Sequence, residues 1–314
     1  MAHARDILPE GNAAGTLQQR QLFASASCTV HDVCCRPHDR AHGPEEWCSE
    51  NQVVFPRSGL FVRDARGQSV LGDPNHVLFF HKHEVYRVAH PAGHGDDCTV
   101  FCFADATLRE AIATVDPRVE ERPERPFPFS CAASEPRVFL LQERLRQAAD
   151  NPETEPLALD EAALTLLDAV VQCAYRRRGV HPASATSRLH HEQAERTKLL
   201  LAARFTEDLT LAQVAEAVYC SPFHLARLFR RQTGLSVHAY RHQLRLAAAL
   251  ERVLCGERNL SALALQLGFS SHAHLTDAFQ RTFGLPPSAC RKAPSTTRLG
   301  ELSRILKVAL PHSL

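Results

Sequence analysis

The sequence predicts a two-domain α+β protein: an antiparallel β-barrel with a helical pair, followed by an all-α domain of two helix-turn-helix units joined by a long helix. Three observations support this. Short β-rich runs fill residues 27–103, two leucine-rich helical stripes follow them, and a pattern repeats between residues 211 and 284. We place the domains at 26–178 and 191–293, with a flexible arm over 1–25, a linker over 179–190 and a tail over 294–314.

The first domain begins with short runs rich in β-branched and aromatic residues, such as 52–55, 76–80 and 98–103. Gly, Pro, Asn and Asp separate these runs about every ten residues, a spacing typical of an antiparallel barrel or sandwich. Residues 1–25 are mostly polar and small, and therefore predict an arm without fixed structure.

Two helices complete the first domain after a proline-rich connector over 122–129. The first helix opens at Ser134-Glu-Pro and ends near Ala149, and the second runs from about Leu157 to Tyr175. Such leucine-rich stripes either cover a barrel or pack against a second subunit, so we predict a homodimer that forms through the second helix, with Leu166 and Leu167 in the interface.

The last domain contains a repeat. Four residues of one copy recur about fifty positions later: Leu225, Phe229, Arg231 and Gly234 correspond to Leu275, Phe279, Arg281 and Gly284. Each copy has two short apolar-periodic segments separated by a turn, which is the pattern of a helix-turn-helix unit. The helix between the copies, 236–254, spans roughly 28 Å. A rod of that length suits two helices that enter successive major grooves, about 34 Å apart.

The repeat resembles the AraC/XylS family of bacterial transcription regulators. The resemblance rests on 209–234, 267–284 and Pro286-Pro287, and it covers about 195–292. It implies double-stranded DNA as the partner, a small-molecule effector bound by the first domain, a homodimer, and contact with RNA polymerase.

The resemblance also implies which residues face DNA. In the first unit, base contacts fall on Phe223, Ala226 and Arg227, and phosphate contacts on Arg230 and Arg231. Arg227 has the geometry for a bidentate contact to guanine. The second unit offers His272, Ala273, His274, Thr276, Asp277, Gln280 and Arg281. Because Arg281 is the one basic residue in that set, we expect weaker binding there, or a helix that mainly holds the domain together.

The distribution of charge also favours the repeat domain as the part that binds DNA. Residues 1–187 carry 19 Lys and Arg against 26 Asp and Glu, while residues 190–292 carry 13 against 8. The net charges of −7 and +5 place the basic surface on the repeat domain, as polyanion binding requires.

The β-rich domain resembles the second half of a cupin barrel. Asp73-Pro-Asn-His-Val-Leu-Phe-Phe, then 84–88 and His90-Pro91, carry that resemblance. It implies a sensor pocket, for which aromatic walls and a few cations are suitable linings. The candidate lining residues are Arg36, His38, Trp47, Phe55, Tyr86 and Arg87.

Metal, thiol and enzyme chemistry are alternatives. Eleven scattered cysteines without a C-x-x-C pair do not indicate a disulfide framework. A thiol- or metal-responsive regulator would use Cys34, Cys35 and Cys48 near His31 and His38, although side chains 34 and 35 of a strand point to opposite faces. A cupin-type metal oxygenase would use 81–84, His-Lys-His-Glu, which we place at an exposed turn. We therefore predict no metal, no cofactor and no catalytic residue.

The sequence shows no apolar run of 18 or more residues and no apolar core of a signal peptide at its N-terminus. We therefore expect a cytoplasmic protein.

Overall fold

The computed structural model describes residues 15–38, 40–176 and 185–291, with the side chains of 15, 16 and 185–188 left undescribed. The chain divides after Arg176 into two compact units. The first contains antiparallel sheets with helices, and the second is helical, which confirms the predicted fold class. In the part of the chain that the structure describes, no helix is both long and apolar enough to cross a membrane.

The first unit contains two antiparallel sheets rather than one closed barrel in its described residues. The larger sheet has the strand order β1-β2-β9-β4-β7-β10 and the smaller has the order β3-β8-β5-β6. The strands are β1 Gly15–Ala24, β2 Cys28–Pro37, β3 Glu46–Trp47, β4 Gln52–Ser58, β5 Phe61–Ala65, β6 Gln68–Gly72, β7 His76–Phe80, β8 Val85–Ala89, β9 Asp96–Phe103 and β10 Cys131–Ala133.

The helices of the first unit are α1 Asp105–Ala113, a 3₁₀ turn at Pro117–Glu121, α2 Pro136–Ala149 and α3 Pro156–Arg176. Those of the second unit are α4 Ala185–Ala203, α5 Leu211–Ala217, α6 Pro222–Thr233, α7 Val237–Leu254, α8 Leu260–Gln266, α9 His272–Phe283 and α10 Pro287–Cys290.

Alternation along the strands divides the first unit into two cores. Phe55 and Phe79 belong to the cluster that packs under α2 and α3. The aromatic rings that these two side chains contact belong to the same cluster. Their neighbours Val54 and Phe80 belong to a second cluster, which also contains Phe61 of the smaller sheet. Because successive side chains of a strand point to opposite faces, the larger sheet supports the helices on one side and faces an inner space on the other.

The predicted arm over 1–25 is wrong for its last part. Residues 15–24 form β1, which pairs with β2, and Leu22 and Phe23 pack against the main core. The centre of this strand, Gln18-Gln19-Arg20-Gln21, is entirely polar, so composition concealed a partly buried edge strand. Residues 1–14 lie outside the described chain.

Two other boundaries also change. The predicted linker over 179–190 overlaps α4, which begins at Ala185, and residues 179–184 lie outside the described residues. On α3, Leu166 and Leu167 are buried in the core of their own unit, so they are not available as interface residues. The predicted tail over 294–314 also lies outside the described residues.

Candidate nucleic-acid interface and ligand cavity

The two helix-turn-helix units are built alike. α6 and α9 each have 12 residues, and each begins at a serine whose hydroxyl accepts the backbone N–H three residues later: Ser221 from His224 and Ser271 from His274. These caps satisfy amides that would otherwise lack partners and fix where each helix starts. Leu225 and Phe229 in α6 are buried, as are Leu275 and Phe279 in α9, which leaves the opposite face of each helix exposed.

The exposed face of α6 carries most of the predicted contact residues. Phe223 is 72% exposed, and the guanidinium carbon of Arg227 lies 5.6 Å from its ring centroid. Arg230 is exposed one turn further along. Arg231 is also exposed, but its guanidinium donates to His190 Nδ1 of α4 at 2.9 Å. Ala226 is only half-buried, at the flank of the helix.

The exposed face of α9 is less basic. His272, Ala273, His274, Asp277, Gln280 and Arg281 are exposed, whereas Thr276 is half-buried and its hydroxyl has no hydrogen-bond partner among the described residues. Asp277 occupies the position that Arg227 has in α6. A carboxylate there is repelled by phosphate and suits a cytosine amino group or water.

Arg245 of α7 joins the parts of the second unit. Its guanidinium donates to the backbone carbonyls of Phe205 at 2.7 Å, Glu207 at 3.0 Å and Gly268 at 2.6 Å. These bonds tie the segment after α4 to the turn of the second helix-turn-helix unit. A buried arginine with this many carbonyl partners is structural rather than a contact to phosphate.

The turns of the two units share a left-handed residue. Gly268 has φ +77° and the equivalent Tyr219 has φ 59°. In both turns the next residue donates its amide back into the preceding helix, from Cys220 to Ala215 O and from Phe269 to Ala264 O. The non-glycine Tyr219 therefore keeps the same backbone geometry as Gly268.

A histidine cluster lies between α7 and α9. His242 stacks with His238 at 5.8 Å and with His274 at 6.2 Å between ring centroids, and it contacts Phe269 at 5.5 Å. Burial, followed by the positive neighbours, lowers the pKa of His242 to about 4. The cluster therefore holds α9 against α7 with His242 in its neutral form at neutral pH.

A cavity of about 140 Å³ lies within the first unit, with residues of both sheets in its wall. Most of its surface is apolar, with Val54, Phe61, Phe80 and Val100 among the lining residues. For comparison, a dry cavity of about 150 Å³ accommodates benzene. The space therefore suits a ligand of about the size of one ring.

One end of this cavity is polar. His90 Nε2 lies 2.6 Å from Asp96 Oδ1, and the Cys98 thiol donates to Asp96 Oδ2 at 3.1 Å. Cys35 and Glu46 line the same end. Burial and the Asp96 carboxylate raise the pKa of the Cys35 thiol to about 12, and burial raises the pKa of Glu46.

Two of the six predicted pocket residues line this cavity, namely Trp47 and Tyr86. Phe55 is fully buried on the opposite face of β4, in the core under the helices. Arg36, His38 and Arg87 are exposed; Arg36 pairs with Asp97, and Arg87 with Glu45. Strand alternation explains the misses, because Arg87 lies between Tyr86 and Val88, which both face the cavity.

The histidine-rich turn at 81–84 is not one exposed motif. His83 is exposed, but His81 is buried against Phe127, and its Nδ1 has no described partner. Glu84 is buried and pairs with Arg125 at 3.0 Å and Arg66 at 3.3 Å. The prediction of an exposed turn is therefore wrong for His81 and Glu84, which lie at the two ends of the turn, directly after β7 and directly before β8, where both side chains are buried.

The cysteine and histidine residues proposed for a sensor also separate. Cys35 lines the cavity, whereas the thiol of Cys34 interacts with Asp97, in agreement with strand alternation. His31 is buried beside Gln19 and Thr29, and Cys48 contacts Tyr86 at another part of the cavity. The sequence did not indicate His90 and Asp96 as residues of a ligand or metal site.

Known proteins match parts of this chain. A protein-family model described as a helix-turn-helix domain matches residues 214–293. Regulatory protein PocR of Salmonella typhimurium is 27% identical over 103 residues, which are 33% of this chain and 34% of PocR. The HTH-type transcriptional activator RhaR of Pectobacterium carotovorum is 28% identical over 148 residues, which are 47% of this chain and 50% of RhaR.

Among solved structures, a transcriptional regulator with an AraC-type DNA-binding domain from Chromobacterium violaceum is 26% identical, covering 32% of this chain and 90% of that chain, with a TM-score of 0.31. This chain spans about a third to a half of the length of the curated regulators named above. The paired helix-turn-helix units, the family model and the similarity to the curated transcription regulators together identify residues 214–293 as a helix-turn-helix domain of the AraC type.

Proposed function

We propose that this chain is a sequence-specific regulator of transcription that binds double-stranded DNA through α6 and α9 and responds to a small molecule in its first unit. It acts as a regulator rather than an enzyme, in the cytoplasm, where it meets the chromosome and RNA polymerase. The exposed face of α6, with Phe223 and Arg227 side by side and Arg230 beyond them, is the observation that carries the proposal.

The chemistry of that face fits a major groove. Phe223 offers an apolar surface to a thymine methyl group, and Arg227 offers two parallel donors to the two acceptors of guanine. Arg230 lies where a phosphate contact adds affinity without sequence information. The less basic face of α9 supports a second, weaker set of contacts, in which His272, Ala273, His274, Thr276, Asp277, Gln280 and Arg281 are the candidates.

The test is selection of bound duplexes from a randomised library by the full chain, followed by affinity measurements at several salt concentrations. Wild-type protein should enrich one motif and lose affinity steeply with salt. Arg227→Ala should cost about 1–3 kcal/mol and erase the preference at one base pair.

Arg230→Ala is the matched control from the same helix face. It should weaken every sequence about equally and reduce the log–log salt slope by about one unit. If Arg227→Ala behaved like Arg230→Ala, the base-reading role of Arg227 would be wrong. If the wild-type protein enriched no motif, sequence-specific binding itself would be wrong.

The ligand cavity has a built-in reporter. Trp47, the single tryptophan of the chain, is 48% exposed and lines the cavity. Addition of small aromatic compounds to the full chain should change its fluorescence in a saturable way. Val100→Phe, which fills the cavity from β9, should abolish that change while the far-UV circular dichroism spectrum stays the same. A response that Val100→Phe leaves intact would place the ligand elsewhere.

A further inference from the structure

The polar end of the cavity contains the one group of three potential metal ligands found among the described residues, formed by Cys35, His90 and Asp96. We propose that this group binds a thiophilic divalent cation of the zinc class. The proposal deepens the proposed role of the cavity as a ligand site and rests on that role, but it does not depend on DNA binding.

The backbone places the three side chains together. Cys35 of β2 and Asp96 of β9 are directly paired in the antiparallel ladder, so their side chains share one face of the sheet. His90 follows β8 of the other sheet and is joined to Asp96 by a tight loop, in which Gly93 donates to the His90 carbonyl at 2.9 Å. The site therefore joins the two sheets.

The loop approaches β2 so closely that it excludes a side chain. A Cβ atom on Gly95 would lie 1.8 Å from the carbonyl oxygen of Cys35. This contact fixes the distance between β2 and the loop, and with it the distance from Cys35 to His90 and Asp96. The cluster is thus held by backbone packing rather than by flexible surface side chains.

The ligand atoms already lie near coordination distance. The Cys35 sulfur, a His90 nitrogen and an Asp96 oxygen all lie within 4.8 Å of one another. Tetrahedral zinc, with bonds of about 2.0–2.3 Å, places its ligands roughly 3.4 Å apart. To reach that arrangement, the widest pair of ligand atoms has to close by at most about 1.4 Å, and the 2.6 Å hydrogen bond between His90 and Asp96 has to open.

The choice of donor atoms selects the class of metal. Thiolate and imidazole favour zinc and its neighbours over magnesium and calcium, which prefer oxygen ligands. Binding releases the Cys35 thiol proton, so that its S–H bond is replaced by a bond to the metal, while neutral His90 keeps its N–H on the ring nitrogen that does not bind the metal. Glu46, on the same cavity wall, is available for the fourth position, as is water or the effector itself.

Charge in the cavity supports a cation. The described lining residues include the carboxyl groups of Glu46 and Asp96 and no Lys or Arg. The nearby guanidinium of Arg36 pairs with the Asp97 side chain and reaches Asp96 only at its backbone carbonyl. A divalent ion would balance the Cys35 thiolate and the Asp96 carboxylate directly.

The test uses Co²⁺ as a spectroscopic substitute for Zn²⁺ with the full chain, after treatment with a chelator. Titration should produce a thiolate-to-cobalt charge-transfer band and the visible bands of tetrahedral Co²⁺, at one equivalent, and Zn²⁺ should remove both. Cys35→Ser should abolish the charge-transfer band. His90→Gln and Asp96→Asn should each weaken Co²⁺ affinity by about tenfold or more.

Cys34→Ser is the matched control, because Cys34 is adjacent on β2 but interacts with Asp97 instead of lining the cavity. It should keep the full spectrum. Absence of the charge-transfer band in the wild-type protein, or a band that Cys34→Ser removes and Cys35→Ser keeps, would overturn the proposal. If Cys35→Ser does not fold, as judged by circular dichroism, the absence of a wild-type band and the response of Asp96→Asn still decide it.

The same samples separate this proposal from the proposed function. Binding of labelled duplex DNA reports on the second unit, and Trp47 fluorescence with small aromatic compounds reports on the apolar part of the cavity. A cobalt spectrum without a response to any organic compound would leave the metal site standing and contradict the organic effector. The reverse result would contradict the metal site alone.

Discussion

Tyr219 has a backbone conformation that an L-amino acid with a side chain adopts at a cost. Its φ is 59°, and its side chain is 86% exposed, so that no packing compensates for the strain. The left-handed region costs a non-glycine residue about 1–2 kcal/mol. Glycine removes that cost but adds roughly 0.5–1 kcal/mol of backbone entropy in the unfolded chain.

We therefore expect Tyr219→Gly to raise the free energy of unfolding of the second unit by up to about 1 kcal/mol. Thermal and urea unfolding measure this change. Tyr219→Ala is the control, since it removes the ring but keeps the strain, and it should not stabilise. Equal stabilisation by the two variants would show that the exposed ring, not the backbone, is the unfavourable feature.

At the equivalent Gly268, a substitution should have the opposite effect on stability. A Cβ atom there would lie 2.5 Å from Arg245 Nη2 and 2.6 Å from the Thr206 carbonyl oxygen. Gly268→Ala should therefore destabilise the unit by more than Tyr219→Gly stabilises it, because it adds strain and displaces the guanidinium that ties the segment after α4 to this turn. A Gly268→Ala variant as stable as the wild type would show that Arg245 can move without loss.

His242 predicts how the second unit responds to acid. Its folded-state pKa of about 4 lies below the ordinary histidine value of about 6.5. A group with a lowered basic pKa binds fewer protons in the folded state than in the unfolded state. The contribution of neutral His242 to the free energy of unfolding is therefore fully present above about pH 6.5, and it is lost as the pH falls towards 4. His238, His274, Arg245 and Arg281 add positive charge around the ring and act in the same direction.

His242→Gln should make the melting temperature of the second unit less dependent on pH between pH 7 and pH 5. Calorimetry of the full chain at several pH values provides the measurement. His272→Gln, at an exposed position of α9, should keep the wild-type dependence. If the two variants show the same slope, protonation of His242 does not contribute to acid unfolding.

At the scale of the element, α3 illustrates how one helix can serve two surfaces. Its buried stripe, including Leu166 and Leu167, packs under the larger sheet. Leu157 is 69% exposed and Leu164 is 39% exposed, and they lie seven residues apart on the other side. A homodimer through this helix, which stays a proposal, would use these two leucines.

The double substitution Leu157→Glu and Leu164→Glu should give a folded monomer if α3 forms the dimer contact, because both positions already face solvent. Sedimentation velocity gives the mass, and circular dichroism confirms the fold. Leu166→Glu is the contrast, and it should unfold the first unit by burying a charge in its core. A double variant with the wild-type mass would exclude this face of α3 as the interface.

At the scale of the whole molecule, the sequence predicted those parts best whose structure depends on residues close together in the chain. The repeat, its caps and its turns depend on residues close in the sequence, so the helix-turn-helix units could be predicted from spacing alone. The strand β1 could not, because pairing partners rather than composition make Gln18 and Gln19 part of a sheet. The overlap of α4 with the predicted linker also arose from composition, because the Ser and Thr residues that suggested a linker can also lie in a helix.

The cavity depends on distant partners, and for this reason its polar end escaped prediction. Cys35 meets Asp96 only because β2 and β9 pair in one particular register, and a slip of one residue would turn Cys34 inward instead. His90 directly follows β8, a strand of the smaller sheet. The cationic residues Arg36 and Arg87 were attractive as ligand contacts by type, but alternation along their strands directs both away from the cavity.

The uninterrupted α7 has a consequence for the DNA. Its 18 residues form a rigid spacer of about 27 Å between the two helix-turn-helix units. Arg245, near its middle, leaves little freedom for one unit to turn relative to the other. One extra base pair between two half-sites rotates them by about 34°, since a helical turn contains about 10–10.5 base pairs. If both units bind DNA as proposed, an operator for this protein has to keep its two recognition elements in one helical phase, and a genome search for its sites can hold that distance constant.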